Sequence, residues 1–599
     1  MIEKPLKKID YILFGIIAVA CFLTFQQGDI MHTAGCSYGY LQGHFLDFYD
    51  WDANAYNMWP SYMPSTYLVY AIWNIPMKLF GIVTKPERYA AFWVIMWYKL
   101  LPVSLYMISG FLIYKIANVI GMGGKKAKIC AYVFLTTPIG FFSQFMFGQY
   151  DIFTIFLVLL GIYYYFKDNK KLFILFFALS IPFKYFSLLL FIPLLLLKQK
   201  NIWRILQSTI LVALPYLLEL VLYIGSPVFR EYVLGFGATS YVYNASINTG
   251  SVSLSLVIMA WGMICAWAYF KNLNTQTDFA QWAFYLCSLV IAVIFGLSQW
   301  HPQWLLFAVP FWVLGAFLHR DTKIFLALDL LMMLIYIIFT VNTWPNHVDQ
   351  ELFSWGIFGD YIYKDIGSKL MMRDIFVITD MDMICSIFTA LLFIIATFKH
   401  PKYCLSNIAT SVDHCIGWIR GRFLGGIAIF VIPAVICFIV AAIPPYVSLN
   451  AYQDLSATSG LINSQVAEVF TPKREILEQI QFKVATYQRE NKIELEVNLV
   501  EHETNRIVYS TTIDGSTLKD NQWVKINTGG IEIDPSIQYR IDFACYDGSA
   551  NNCISLYRTR EKEKIEKEDK KAKPDISYAI VEGRPQNYDL CVKVFERDK

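Results

Sequence analysis

From Ile9 to about residue 443 the chain is a succession of long apolar runs, and from residue 450 to the end apolar and polar positions alternate. The first pattern predicts membrane helices, since a span takes about 20 mostly apolar residues. The second predicts short strands at 480–486, 492–500, 506–513, 523–527, 539–546, 554–557, 578–581 and 590–595, with turns rich in Gly, Asn and Asp. Many short strands at this spacing read as a β-sandwich, jelly-roll-like in kind. The expected architecture is therefore a polytopic α-helical membrane domain over 1–445, followed by an all-β domain over 446–599. The run at 9–25 lacks a clear small-residue cleavage site and is followed by further apolar runs, so it reads as a retained helix rather than a signal peptide.

Charge orders these runs. Lys and Arg collect in short loops around Lys4–Lys8, Lys125–Lys128, Lys167–Lys171, Lys198–Arg204, Lys271, Arg320–Lys323 and Lys399–Arg422. The loops between them, at 26–64, 225–251, 298–303 and 343–380, are aromatic and poor in basic residues. Basic loops mark the cytoplasmic side. The alternation predicts a multi-pass plasma-membrane protein with a cytoplasmic N-terminus and an extracytoplasmic C-terminal domain. Parity assigns 64–83, with Pro76 and Lys78, to the outer interface. It makes 172–197 two short helices meeting at Pro182 and Lys184, for about 13 crossings in all.

Composition adds exclusions. Of 599 residues, 56% are hydrophobic and 16% charged, against roughly 25% charged in soluble domains. A net charge of +3 gives no reason to expect nucleic acid. The twelve cysteines show no CxxC spacing, so no zinc or redox motif is expected, nor any other cofactor. Cys545 and Cys553 flank the turn at 546–552 and could pair as a disulfide in an external domain.

Candidate chemistry gathers in the outer loops, where charges at membrane depth are costly and usually functional. Asp29 lies just beyond the first helix, either as a working carboxylate or as a solvated helix end. Residues 30–44 can follow as an interfacial amphipathic helix. Asp47, Asp50 and Asp52 form an acidic cluster or simply punctuate an aromatic loop. Asp151, in Gly148-Gln149-Tyr150-Asp151, is a ligand group or the cap of the next helix. Lys184, in Pro182-Phe183-Lys184-Tyr185, needs an anionic partner such as phosphate, or snorkels to water. His301 and Gln303 sit in Ser298-Gln299-Trp300-His301-Pro302-Gln303-Trp304, where His301 is a site residue or a satisfied loop histidine.

The order of these motifs over residues 9–320 resembles the GT-C superfamily of membrane glycosyltransferases. It is nearest to the dolichyl-phosphate-glucose glucosyltransferases and the first mannosyltransferase of GPI assembly. Gly28-Asp29 resembles the catalytic Asp after helix one, and Tyr62-Met63-Pro64-Ser65-Thr66-Tyr67 the Tyr/Pro-rich helix start. Gly148–Asp151 resembles the outer-turn motif, Phe183-Lys184-Tyr185 the hinged helix pair, and the stretch from His301 to Pro310 the later loop. Ser65 stands where the family has a second proline. The nearest acids that could pair with Asp29 lie 18 to 23 residues on.

The resemblance implies inverting transfer of a sugar from a polyprenyl-phosphate donor to a glycan or lipid-linked acceptor at the outer membrane face. Asp29 would be the general base. Lys184, with His301 and Gln149, would hold the departing phosphate, and Asp151, Gln303, Asp50 and Asp52 complete the substrate-binding candidates. The alternative is a flippase or transporter, for which paired inverted halves are expected. None is visible in the sequence.

Overall fold

A computed structural model describes residues 6–82, 91–235, 241–298, 300–344, 348–349, 352–353, 370–378, 380–442, 446–450, 456–559 and 577–598. The charged stretch at 560–573, Gln299 and most of the 343–380 loop fall outside them. The chain divides into two compact units, one ending at Ile439 and the other running from Val440 to Lys599.

The first unit is helical. It opens with α1 (Lys8–Thr24), α2 (Gly28–Cys36), α3 (Tyr38–Leu41), α4 (Phe48–Tyr56), α5 (Pro64–Leu79), α6 (Phe92–Val119) and α7 (Gly124–Leu135). After α8 (Pro138–Phe141) and a π-helical turn (Phe142–Met146) come α9 (Ile152–Phe166), α10 (Lys170–Ser180), α11 (Phe186–Lys198), α12 (Ile202–Tyr223), α13 (Leu256–Phe270) and α14 (Gln276–Leu297). A 3-10 helix (Pro302–Ala308) leads into α15 (Val309–Leu318), followed by α16 (Thr322–Thr343) and the two long helices Met381–Phe398 and Ile416–Ala442.

Among the described residues, six helices are long and apolar enough to cross a membrane, or up to eight if each of two bent pairs counts as one span. The expected 13 crossings are therefore too many. The reason is length: α9, α10 and α11 have 15, 11 and 13 residues, which at 1.5 Å per residue is about 16–22 Å against a hydrocarbon core of about 30 Å. The 172–197 stretch is indeed two short helices, α10 and α11, hinged at Ile181–Tyr185. The anticipated 30–44 helix is two shorter pieces, α2 and α3.

Burial separates the helices. The apolar window of α14 is 83% buried and that of α12 only 11%, so α14 is a central strut and α12 presents an apolar outer wall. Lysines close one end of the bundle. Lys198 Nζ donates to Tyr165 O at 2.7 Å, and Lys200 Nζ to Leu196 O at 2.7 Å and Ala268 O at 3.0 Å. These carbonyls belong to the last turns of α9, α11 and α13, where a cation meets both orphan acceptors and the negative end of the helix dipole.

The second unit is two antiparallel sheets. One runs β13-β12-β5-β10-β7-β8, that is Arg584–Pro585, Tyr578–Val581, Ser464–Phe470, Tyr539–Cys545, Glu494–Glu501 and Ile507–Asp514. The other runs β3-β14-β6-β11-β4 (Tyr446–Asn450, Val592–Arg597, Ile476–Ala485, Ser555–Arg558, Ser456–Ala457), with β9 (Trp523–Glu532) also paired to β6. β1 (Ser246–Asn248) and β2 (Ser253–Ser255) are a small hairpin in the first unit. All eight strands expected from the period-two pattern are present; β3, β4, β5 and β13 are additional. Buried Leu495, Val497, Ile541 and Phe543 of one sheet and Ile480, Phe482, Val484 and Val592 of the other share one core. The Phe482 and Phe543 rings meet across it at 4.8 Å. Phe482→Ala should destabilise this unit by about 3–5 kcal/mol through cavity formation, read as a lower unfolding temperature of the C-terminal unit in the full chain; an unchanged transition would place Phe482 outside the load of this core.

The disulfide expectation is overturned. Cys545 and Cys553 are both free and buried. Cys545 Sγ donates to Asp547 Oδ1 at 3.3 Å instead. Burial, with the Asp547 carboxylate beside it, pushes the Cys545 thiol up to about 11, so little reactive thiolate exists at neutral pH.

Candidate active site

Four chain breaks build the site. At the first, α1 ends at Thr24 and the chain bends by 75° into α2. Gln27 caps α2 by accepting the Asp29 backbone N–H, which fixes Asp29 in the first turn, where a carboxylate is favoured by the helix dipole. At the second, the π-helical turn runs into Phe147 and Gly148, whose φ of +78° suits glycine. Gln149 N donates to Ser143 O, and Gln144 Nε2 to Gln149 O, both at 2.9 Å. Asp151 follows at the head of α9. The third is the α10–α11 hinge, where Lys184 N donates to Ser180 O and Ser187 Oγ to Lys184 O. The fourth is the Pro-initiated 3-10 helix that carries Gln303 and Trp304.

Three of these breaks bring the predicted residues together. Lys184 Nζ pairs with Asp151 Oδ1 at 3.4 Å. Gln149 Nε2 donates to Asp151 Oδ2 at 2.9 Å. Tyr150 OH donates to Asp29 Oδ2 at 3.3 Å, and Asp29 lies within electrostatic reach of His32, Lys184 and Asp151. The alternatives left open by the sequence now separate. Asp151 makes no side-chain cap to α9; its carboxylate turns to Gln149 and Lys184. Lys184 does not snorkel, being 8% exposed. Asp29 is only partly exposed and is bonded to a tyrosine.

Lys184 is held by aromatic faces as well as by Asp151. Its Nζ lies 3.9 Å from the Trp304 ring centroid and 5.0 Å from that of Tyr62, and Tyr62 meets Tyr150 edge to face at 5.2 Å. Cation–π contacts of this kind gain strength when desolvated. Lys184, Tyr62 and Trp304 line a cavity of about 120 Å³ whose other walls include Met63, Pro182, Phe186 and Leu234. Trp304 is buried, and its Nε1 has no hydrogen-bond partner among the described residues. A buried donor without an acceptor is costly. This one lies beside Lys184, the one charged side chain among the described residues that line the cavity.

The acidic candidates at 47–52 go elsewhere, while His301 and Gln303 lie beside Trp304 without reaching the Lys184–Asp151 pair in any hydrogen bond or ion pair shown. Asp50 accepts the Val228 backbone N–H at 3.3 Å. Asp52 is buried against Cys36 and Gly39. Asp47 is exposed and bonds His44 Nδ1 at 2.9 Å. Asp50 and Asp52 lie two residues apart on α4, and such positions do not share a helix face. His301 stacks on Trp344 at 4.4 Å and tilts against Trp304 at 5.0 Å. Gln303 is 2% exposed, and its Oε1 has no hydrogen-bond partner among the described residues.

Sequence reasoning passed over Glu219, although a carboxylate inside the apolar α12 run was itself a signal. It accepts a hydrogen bond from Ser65 Oγ at the start of α5, so the two helices are tied by a partly buried polar contact. Tyr150 and Trp304 lie in the 148–151 and 301–310 stretches, but their contacts are with neighbours distant in sequence. No group of three or more His, Cys, Asp or Glu able to hold a metal occurs among the described residues. No protein-family model matches this chain, and no curated protein matches it.

Proposed function

We propose that this protein transfers a sugar from a polyprenyl-phosphate donor to an acceptor hydroxyl, at the end of the helical unit away from the lysine-closed helix ends. The carrying observation is the convergence of Asp29 and the Lys184–Asp151 pair beside a largely apolar cavity. Both α9 and α11 begin at this cluster and end at Lys198. With the basic end cytoplasmic, the cluster faces the outer leaflet, where donors are lipid-linked.

In this reading the acceptor oxygen attacks the anomeric carbon while Asp29 removes its proton. The bond from that carbon to the phosphate oxygen breaks, its electron pair leaves with polyprenyl phosphate, and configuration inverts. The phosphate gains one negative charge. Lys184 and the Trp304 N–H can donate to it from the cavity wall, and Asp151, steadied by Gln149, holds the ammonium in place. Preorganised donors aimed at developing charge are a principal source of rate. The apolar walls suit an isoprenoid chain.

Purified protein in nanodiscs should quench tryptophan fluorescence on adding polyprenyl phosphate and transfer label from polyprenyl-phosphate sugars but not from nucleotide sugars. Equal binding of the unphosphorylated polyprenol, or no transfer from any lipid-linked sugar, would sink the reading.

A further inference from the structure

Lys99 is fully buried in α6, an apolar helix long enough to cross a membrane, and no part of the proposed mechanism uses it. Its Nζ donates to Phe22 O at 3.1 Å and to Phe25 O at 2.7 Å. These are carbonyls at the end of α1, where the chain must bend before α2 begins. The same ammonium lies 5.0 Å from the Phe22 ring centroid. Orphan carbonyls at a buried helix end need donors, and here one cation serves two of them, directly upstream of Asp29.

The stem of Lys99 does a second thing. A β-carbon at Gly148 would come within 2.8 Å of Lys99 Cγ and 3.3 Å of Lys99 Cδ, and within 3.6 Å of Ile30 Cδ1. Gly148, Lys99 and Ile30 therefore pack at one point. Ile30 is the neighbour of Asp29, and Gly148 opens the turn that delivers Gln149, Tyr150 and Asp151. One side chain thus fixes the α1–α2 bend with its head and the outer turn with its stem. The chain that leads into α2 and the turn that carries Tyr150 both meet Lys99, and beyond it they are joined by the Tyr150–Asp29 hydrogen bond.

We infer that Lys99 is a positioning residue that locks the Asp29 helix against the Gly148–Asp151 turn and so sets the reach of the general base. This rests on the glycosyl-transfer reading of the site. The contacts predict a division of labour: Lys99 holds the end of α1 just before the Asp29 helix and packs against the outer turn, whereas Lys184 and Trp304 approach the donor from the α10–α11 hinge and the 3-10 helix. Loosening Lys99 should therefore misplace the base without emptying the donor pocket. A displacement of about 1 Å at a reacting centre can cost on the order of 100-fold in rate.

The test pairs a catalytic readout with one that needs no catalysis. Lys99→Met keeps most of the stem and removes the donors; Lys99→Gln keeps an amide donor one atom short. In nanodiscs, amide exchange of peptides covering 22–36 should accelerate at least 10-fold in Lys99→Met, and less in Lys99→Gln, with 152–166 unchanged. Turnover should fall 10- to 100-fold in Lys99→Met, while donor KM and polyprenyl-phosphate binding stay within about twofold of wild type. Partial rescue is expected in Lys99→Gln, which also decides the matter if Lys99→Met does not fold. Unchanged exchange at 22–36, or faster exchange with full turnover, overturns the lock. A donor KM that rises in step with the loss of turnover overturns it too. A wild-type protein that transfers no sugar, alongside accelerated exchange in Lys99→Met, would remove the proposed activity and leave the lock standing as a structural device.

Discussion

Asp29→Asn should lower turnover by about 10²- to 10⁴-fold, the usual loss on removing a general base, with donor binding nearly intact. Asparagine keeps the size of the side chain and can still accept from Tyr150, whose hydroxyl is the donor in that contact. It cannot take a proton from the acceptor. The same change at Asp50 or Asp52 should have a smaller effect on the chemical step, because those carboxylates face Val228 N and Cys36. Initial rates with a lipid-linked sugar and a defined acceptor make the comparison. An active Asp29→Asn protein beside an inactive Asp50→Asn or Asp52→Asn protein would move the base onto α4. Full activity in all three would end the proposed mechanism.

Lys184→Met has two expected effects that need separating. Lys184 and Asp151 are both buried and paired at 3.4 Å, and removing one partner of a buried pair leaves an uncompensated charge, at about 3–5 kcal/mol. The single variant should therefore fold poorly. Lys184→Met/Asp151→Asn removes both charges and should recover most of that stability, since replacing a whole buried pair is often neutral. In the recovered double variant, polyprenyl-phosphate affinity should fall about 10- to 100-fold, as for a lost hydrogen bond to a charged group. Thermal unfolding and tryptophan quenching, measured on the same preparations, read the two effects. A double variant as stable as wild type with unaltered phosphate affinity would make the pair purely structural. Asp151→Asn alone should be milder than Lys184→Met, because an unpaired ammonium still has the faces of Trp304 and Tyr62.

The sequence by itself determined the local elements and their kinds. Period-two alternation located every strand it flagged, because a half-buried strand must show one face to the core and the other to solvent. It passed over β5, whose run Ala467–Phe470 is buried throughout and so carries no alternation to read. Apolar runs located the helices, and Pro182 with Lys184 marked the α10–α11 hinge. The same runs overstated the crossings, since hydropathy registers apolar content whether or not a helix is long enough to span. Tertiary structure decided which polar groups meet. Asp29 and Tyr150 are 121 positions apart, and nothing local to either signals the contact. It also decided that Asp50 and Asp52, neighbours in sequence, diverge on one helix, while Lys184 and Asp151, from separate breaks, converge. Lys99 was legible only as a charge inside an apolar run; that its two acceptors are the last carbonyls of another helix follows from packing. Local pattern is set by each residue's own exchange with solvent, whereas pairing is set by where buried donors can find acceptors once the helices have closed around them.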